Sequence, residues 1–457
     1  MLSCVTWFNE RVLHPLSIRE VLAWSAFVQS VAHSSLGFER GVEMFIHGGC
    51  MTMVDSLGLG NQLVDTECIS FEKEEEKNSG GLTAAQRAIL AHLVEQLDKK
   101  EGGHSMFEGL NDQSRKAIRE AFGQGGFAWV RHRRCEEKFL DFGGFKISVK
   151  DSEDIDMVAG ESAEFDFGAP AAACNVGRLV RALQQPKAVL LEGPPGLGKT
   201  ATVQALAKAT GRRLLRVNLS EQTDLLDLLG SDLPTPGSEA ARFRWCDGAL
   251  LRAMRQGDWV LLDEINLAPQ ATLEGLNALL DHRREVFLPA IGQTVAAHEG
   301  FRLFAAQNPV ATGGGRKGLP RSFLNRFTRV VLSQLSPADL RHICRHVHAA
   351  ALGEEVVDRA VALLEELQKV SHGHGDTGPF QAHLEFDWNL RDALRLCELL
   401  RAKVPLADFH ASAELLFVSR LQCERDRAVA VEVIKRILPL PQCAEARAAL
   451  EIILVFT

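Results

Sequence analysis

The sequence predicts an α/β fold, a parallel sheet sandwiched by helices and followed by an α-helical domain, on three observations. Residues 193–200 read GPPGLGKT, short apolar runs alternate with helical stretches from 188 to 332, and beyond Pro337 the pattern is almost wholly helical. The run Ala188, Val189, Leu190 and Leu191 suits a strand buried on both faces, and Ala201 to Ala209 then reads as a helix closed by Gly211. Further strands are expected at 214–217, 259–262, 302–305 and 329–332. Helices between most of these strands predict a doubly covered parallel sheet, with ligand outside the carboxyl ends of the strands. Past the last strand, VVDRAVALLEEL and NLRDALRLCELL carry helical periodicity.

The stretch Gly193, Pro194, Pro195, Gly196, Leu197, Gly198, Lys199 and Thr200 is an unbroken GxxxxGK[ST] phosphate loop. Its glycines let successive backbone N–H groups turn toward phosphate oxygens at a helix N-terminus, whose dipole favours negative charge. Lys199 can reach the β- and γ-phosphates, and Thr200 can place its hydroxyl on Mg²⁺. Strand, loop and helix stand in the order that such a site needs. The implied ligands are ATP or GTP with Mg²⁺.

At 457 residues and 46% hydrophobic, the chain can bury more than one core. A net charge of -8 argues against a broad or sequence-specific nucleic-acid surface, because phosphate contacts need clustered Lys and Arg, so partners are expected to be proteins. No apolar run has the length of a membrane span, and MLSCVTWFNERV is interrupted by Asn9, Glu10 and Arg11, which predicts neither a membrane protein nor a secretory signal. The ten cysteines form no CxxC pair and read as reduced core thiols.

Four domains are expected: 1–60, 61–139, 140–335 and 336–457. LSIREVLAWSAFV near the start is helical, and FEKEEEKNSGG at 71–81 is a solvated linker. Thr83 and Gln86 can cap a helix with Ile89, Leu93 and Leu97 on one face, and another helix is expected from Asn111 to Phe122. A strand at Phe145–Val149 precedes an acidic stretch, KDSEDIDMVAGESAEFDFG. LSIREVL at 16–22 echoes WNLRDAL at 388–394, setting Arg19 opposite Arg391, so residues 1–60 read as the tail of a preceding copy of the module.

Phosphoryl transfer needs the phosphates held, a metal, an aligned water and neutralised charge. Asp263, ending an apolar run, can hold the Mg²⁺ hydration shell, and the adjacent Glu264 can polarise the attacking water. Asn308 lies just past another strand, where it is either a turn residue or one that orients the same water. Arg316, Lys317, Arg321, Arg326 and Arg329 crowd one glycine-rich stretch, either as surface charge or with an arginine finger among them; spacing does not choose which. His342, Cys344, His346 and His348 on one helix, and His372 and His374 in a loop, complete no metal-ligand set and read as surface residues.

LLDEINLAPQATLEGLNALLDHRREVFLP, FRLFAAQNP, GGGRKGLPRSFLNRF and RVNLSEQTDLLDLLGSDLP, together with the phosphate loop, resemble an AAA+ module of the midasin family, dynein-related ATPases of ribosome assembly, and among its modules the fifth. The resemblance is good over roughly residues 140–400. It implies an AAA+ P-loop NTPase core with a helical lid, and residues 1–60 as the end of a preceding lid. It makes Asp263 and Glu264 the Walker B pair and Asn308 the sensor 1 residue. Arg326 becomes the favoured finger with Arg321 as rival, and Arg391 the lid residue that meets the γ-phosphate. Val286 to Phe301 resembles the hairpin before sensor 1, with Ala290 where the family often has an acidic residue.

The implied function is ATP hydrolysis that helps to remodel and mature pre-60S ribosomal particles by releasing assembly factors, in the nucleolus and nucleoplasm. The implied partners are neighbouring AAA+ modules in a six-module ring, assembly factors and the particle itself. A finger acts across a module boundary, so this polypeptide alone is expected to bind nucleotide and turn it over slowly. Two rivals stand beside this: a structural module that holds ATP without hydrolysis, and a MoxR-like chaperone ATPase.

Overall fold

The computed structural model describes residues 169–438 except 235–242, 310–315, 333–334, 372–387 and 402–408, together with short segments before residue 169 that include 21–25, 45–54 and 145–150. The expected helix at 111–122, the cap at Thr83, most of the two charged stretches, Arg19, His372 and His374 lie outside the described residues. The chain divides into two compact units, one of residues 1–160, 170–194 and 198–334, the other of 161–169, 195–197 and 335–457. No described helix is long and apolar enough to cross a membrane.

In the first unit, helix α1 (Pro170–Ala182) leads into β1 (Ala188–Glu192) and α2 (Lys199–Ala209). Then follow β2 (Leu214–Asn218), the short helix α3 (Leu225–Leu229), and a hairpin of β3 (Gly230–Pro234) and β4 (Phe243–Asp247). Next come α4 (Ala249–Gln256), β5 (Trp259–Asp263) and α5 (Gln270–Leu280). A second hairpin, β6 (Glu285–Leu288) and β7 (Gln293–Ala296), precedes β8 (Arg302–Gln307), α6 (Arg321–Leu324) and β9 (Phe327–Val331).

Five strands form one parallel sheet in the order β9-β1-β8-β5-β2. A parallel strand covered on both faces has no solvent side to leave polar, which is why these strands read as unbroken apolar runs. Val189, Leu190 and Leu191, Val260, Leu261 and Leu262, and Phe304, Ala305 and Ala306 are all fully buried. Each large aliphatic side chain among them contributes roughly 1.5–3 kcal/mol by leaving water. The fold class read from the sequence is the one observed. Its last strand begins two residues earlier than the expected 329, because Phe327 and Thr328 pair with Ala188 and Val189.

Register places the strand ends that matter side by side: Asp263 opposite Asn218, and Gln307 opposite Glu192. Between β2 and β5, α3 is started by a reciprocal pair in which Asp224 accepts from the backbone N–H of Leu225 and Asp227 accepts from that of Asp224. It stops at Gly230, whose φ of 131° is open to glycine and where a Cβ would lie 2.3 Å from the Cys246 carbonyl. The β6–β7 hairpin occupies the stretch that resembled the family's hairpin, with Ala290 exposed at its tip.

The second unit is helical: α7 (Pro337–Leu352), α8 (Glu354–Ser371), α9 (Leu390–Arg401), α10 (Phe409–Ala413) and α11 (Glu424–Ile437). Ser336 caps α7 by accepting from the Asp339 N–H, while Asp339 accepts from the Ser336 N–H at 2.9 Å, with Pro337 at the first helical position. Its core packs Val361, Leu364 and Leu367 of α8 with Leu396, Phe417 and Ile434, and Trp388 meets Phe417 edge-on at 5.2 Å. His342 is exposed and Cys344 is a buried thiol, both as expected, but His348 is buried on the same face as Cys344. The expectation of surface residues fails there because residues four apart share one helix face, and that face is the packed one.

Candidate nucleotide site

The phosphate loop leaves the carboxyl end of β1 and runs into α2. Gly193, Gly196 and Gly198 take φ values of 155°, 85° and 77°, the last two in the left-handed region that side chains with a Cβ avoid. Such turns are what let consecutive N–H groups face one anion. Lys199, 8% exposed, donates from Nζ to the carbonyls of Gly193 at 2.7 Å and Pro194 at 2.9 Å, and to Asn308 Oδ1 at 2.6 Å. Thr200 follows on α2 and donates from its hydroxyl to Asp263 Oδ2 at 3.0 Å.

Asp263 ends β5 and is buried, yet it is not left as a lone carboxylate. Arg216 of β2 donates to Asp263 Oδ2 from Nη2 at 2.7 Å and from Nε at 3.1 Å. The adjacent Glu264 turns out of the strand in a left-handed conformation, φ 54° and ψ 44°. For a residue with a Cβ that conformation costs roughly 1–2 kcal/mol and persists only where surrounding bonds enforce it. Those bonds are present: Leu267 N–H donates to the Glu264 carbonyl, Lys317 N–H to the Asn266 carbonyl, and Asn266 Nδ2 to the Asn308 carbonyl.

Asn308, just past β8, joins the two halves of the site. Its carbonyl oxygen accepts from Lys199, and its amide nitrogen donates to Glu264 Oε1 at 2.6 Å. Arg316 approaches the same carboxylate, donating from Nε to Oε2 at 3.3 Å and from Nη2 to Oε1 at 3.4 Å. The arrangement therefore offers a lysine and backbone donors for phosphate, a hydroxyl beside a carboxylate for a metal, and a second carboxylate positioned by an amide.

The structure thus brings Lys199, Thr200, Asp263, Glu264 and Asn308 together. The arginines of the glycine-rich stretch separate. Arg326 pairs with Asp281, Arg329 pairs with Glu192 at 2.7 Å, and Arg321 is exposed on the short helix α6. Arg391 is exposed on the first turn of α9, where its N–H donates to Asn389 Oδ1. Arg216 was missed by sequence reasoning. Its signal was weak, since the register that sets β2 beside β5 is not written in either strand.

Comparison with known proteins follows this geometry. Residues 188–327 match the family described as AAA domain (dynein-related subfamily), and residues 339–441 match the Midasin AAA lid domain. Midasin of Dictyostelium discoideum is 35% identical over 433 residues, 94% of this chain and 7% of that protein. Midasin of Giardia intestinalis is 40% identical over 291 residues, 62% of this chain and 6% of that protein. The chain spans less than a tenth of the length of these relatives. A dynein-related AAA core on a β9-β1-β8-β5-β2 sheet, followed in sequence by a midasin-type lid, identifies this chain as a member of the midasin family.

Proposed function

We propose that the site built on Lys199 binds ATP with Mg²⁺ and hydrolyses it. The observation that carries this reading is the bridge made by Asn308, which ties the phosphate-loop lysine to the Glu264 carboxylate within one hydrogen bond of each. Asp263 and Thr200 fit a magnesium ion, because a carboxylate and a hydroxyl already converge at 3.0 Å at the end of β5. When bound, that ion neutralises phosphate charge. Lys199 holds the terminal phosphates, Glu264 takes the proton of the attacking water, and Asn308 keeps both in line.

Turnover by the chain alone is slow in this reading. Both oxygens of Glu264 accept from Arg316, so the carboxylate is engaged before a water reaches it. An arginine finger for this site, worth roughly 10³ to 10⁵ in rate, would come from another module, while Arg326, or Arg321, would serve a neighbour. Arg391 would reach the γ-phosphate from the lid. The wider role, remodelling pre-60S ribosomal particles in the nucleus as one module of a ring, rests on the family relationship.

Binding and turnover of ATP by the whole chain test the proposal. Lys199→Ala should abolish binding, whereas Glu264→Gln should retain it and remove turnover. Equal turnover in Glu264→Gln and the parent chain would sink the hydrolytic reading and leave a module that only holds nucleotide.

A further inference from the structure

The amino edge of the sheet carries a cavity of about 530 Å³, lined by residues that include Lys150, Arg212, Trp259, His298, Glu299 and Arg302. Arg212 lies just before β2, while Trp259 and Arg302 begin β5 and β8, so the cavity sits at the end of these strands remote from the phosphate loop. Strands of five or six residues at about 3.3 Å each put roughly 15 Å between the two edges. The cavity is a separate place from the nucleotide site.

Its lining gathers cationic side chains. Among the described residues the indole N–H of Trp259, itself 98% buried, has no acceptor, and neither does Nε of Arg212, whose guanidinium lies over the Trp259 ring at 5.8 Å. His298 accepts the Gly300 N–H at Nδ1, 3.0 Å, which leaves its other nitrogen as the protonated one. Arg212 otherwise donates to Ser148, and Arg302 to the carbonyls of Glu299 and Phe301. Arg284 stands nearby, donating to the Phe301 carbonyl. Among the described residues no carboxylate pairs with any of these three guanidiniums. Burial, and after it the charges of Arg284 and Arg212, pull the Arg302 pKa down to about 10.

Holding like charges adjacent is costly unless something supplies negative charge among them. We propose that this cavity is a binding site for a phosphate group, whose oxygens meet the guanidiniums of Arg212 and Arg302 and the His298 ring. A phosphate group suits the donor set because guanidinium forks match its oxygens and Lys150 stands at the rim. Its source is either the free anion or a phosphorylated side chain on a partner protein. The site makes no demand on turnover at Lys199.

Calorimetric titration of the whole chain carrying Lys199→Ala, which weakens the phosphate loop's own hold on the anion, tests this with inorganic phosphate in one arm and a short phosphoserine peptide in the other. Saturable binding weakened at least tenfold by Arg212→Gln and by Arg302→Gln is the expected result. Preference for the peptide assigns the site to a modified partner, and equal or better binding of phosphate to the free anion. If either arginine variant fails to fold, His298→Ala, a change at an exposed residue of the lining, should weaken binding severalfold. Absence of binding in both arms overturns the proposal, and so does binding that these substitutions leave unchanged.

Discussion

Lys199 Nζ lies 2.6 Å from Asn308 Oδ1, and the nitrogen of the same amide lies 2.6 Å from Glu264 Oε1. One planar group therefore fixes the distance between the cation proposed to meet phosphate and the carboxylate proposed to meet water. Phosphate affinity depends on the charge of Lys199 and on loop N–H groups, none of which Asn308 supplies. Asn308→Ala should accordingly leave ATP affinity within about threefold while lowering turnover by roughly 10²-fold, at the low end for a mispositioned general base. Separate measurement of equilibrium binding and single-turnover hydrolysis checks the split. A parallel fall in both would mean that Asn308 maintains the loop itself.

Arg216 and Thr200 both donate to Asp263 Oδ2. A guanidinium 2.7 Å from that oxygen already answers its charge, so a magnesium ion held by Asp263 would compete with Arg216 for the same carboxylate. The Arg216 side chain is half exposed, which limits the pair's worth to a modest quantity screened by solvent. Arg216→Gln should therefore lower the magnesium concentration needed for half-maximal ATP binding about three- to tenfold. A magnesium requirement that stays fixed, or rises, would show that Arg216 supports the metal site instead of competing with it.

The legible part of this fold was written in local pattern. AVLL at 188–191 and WVLL at 259–262 announce strands covered on both faces because a parallel sheet leaves no polar side, and GPPGLGKT announces the turn between strand and helix because few other conformations use three glycines so spaced. Asp263, Glu264 and Asn308 could be singled out since strand ends in such a sheet share one edge. What could not be read was pairing across the sheet. Arg216 meets Asp263 only because Asp263 and Asn218 are in register, and Arg316 meets Glu264 only because Glu264 leaves β5 in a left-handed turn. The cationic cavity was equally hidden, for Lys150, Arg212 and Arg302 are far apart in sequence and each resembles ordinary surface charge. Burial of His348 escaped a reading that considered metal ligation alone and not the packed face of its helix.

That buried histidine gives the helical unit a dependence on pH. His348 is 3% exposed, and neither ring nitrogen has a partner among the described residues. Burial pushes its pKa below the usual imidazole value; Glu398 opposes the shift and Arg401 adds to it. Above about pH 6.5 the ring is neutral both folded and unfolded, so it contributes no slope. Below that point the unfolded chain takes up a proton that the folded core resists, and stability falls as pH drops from the unfolded toward the folded pKa. His348→Leu removes the titrating group while keeping a side chain that suits an apolar surrounding. The difference in urea midpoint between pH 7.5 and pH 5.5 should shrink in the variant relative to the parent chain. An unchanged difference would show that the ring finds water on protonation and that the acid sensitivity arises at other carboxylates and histidines.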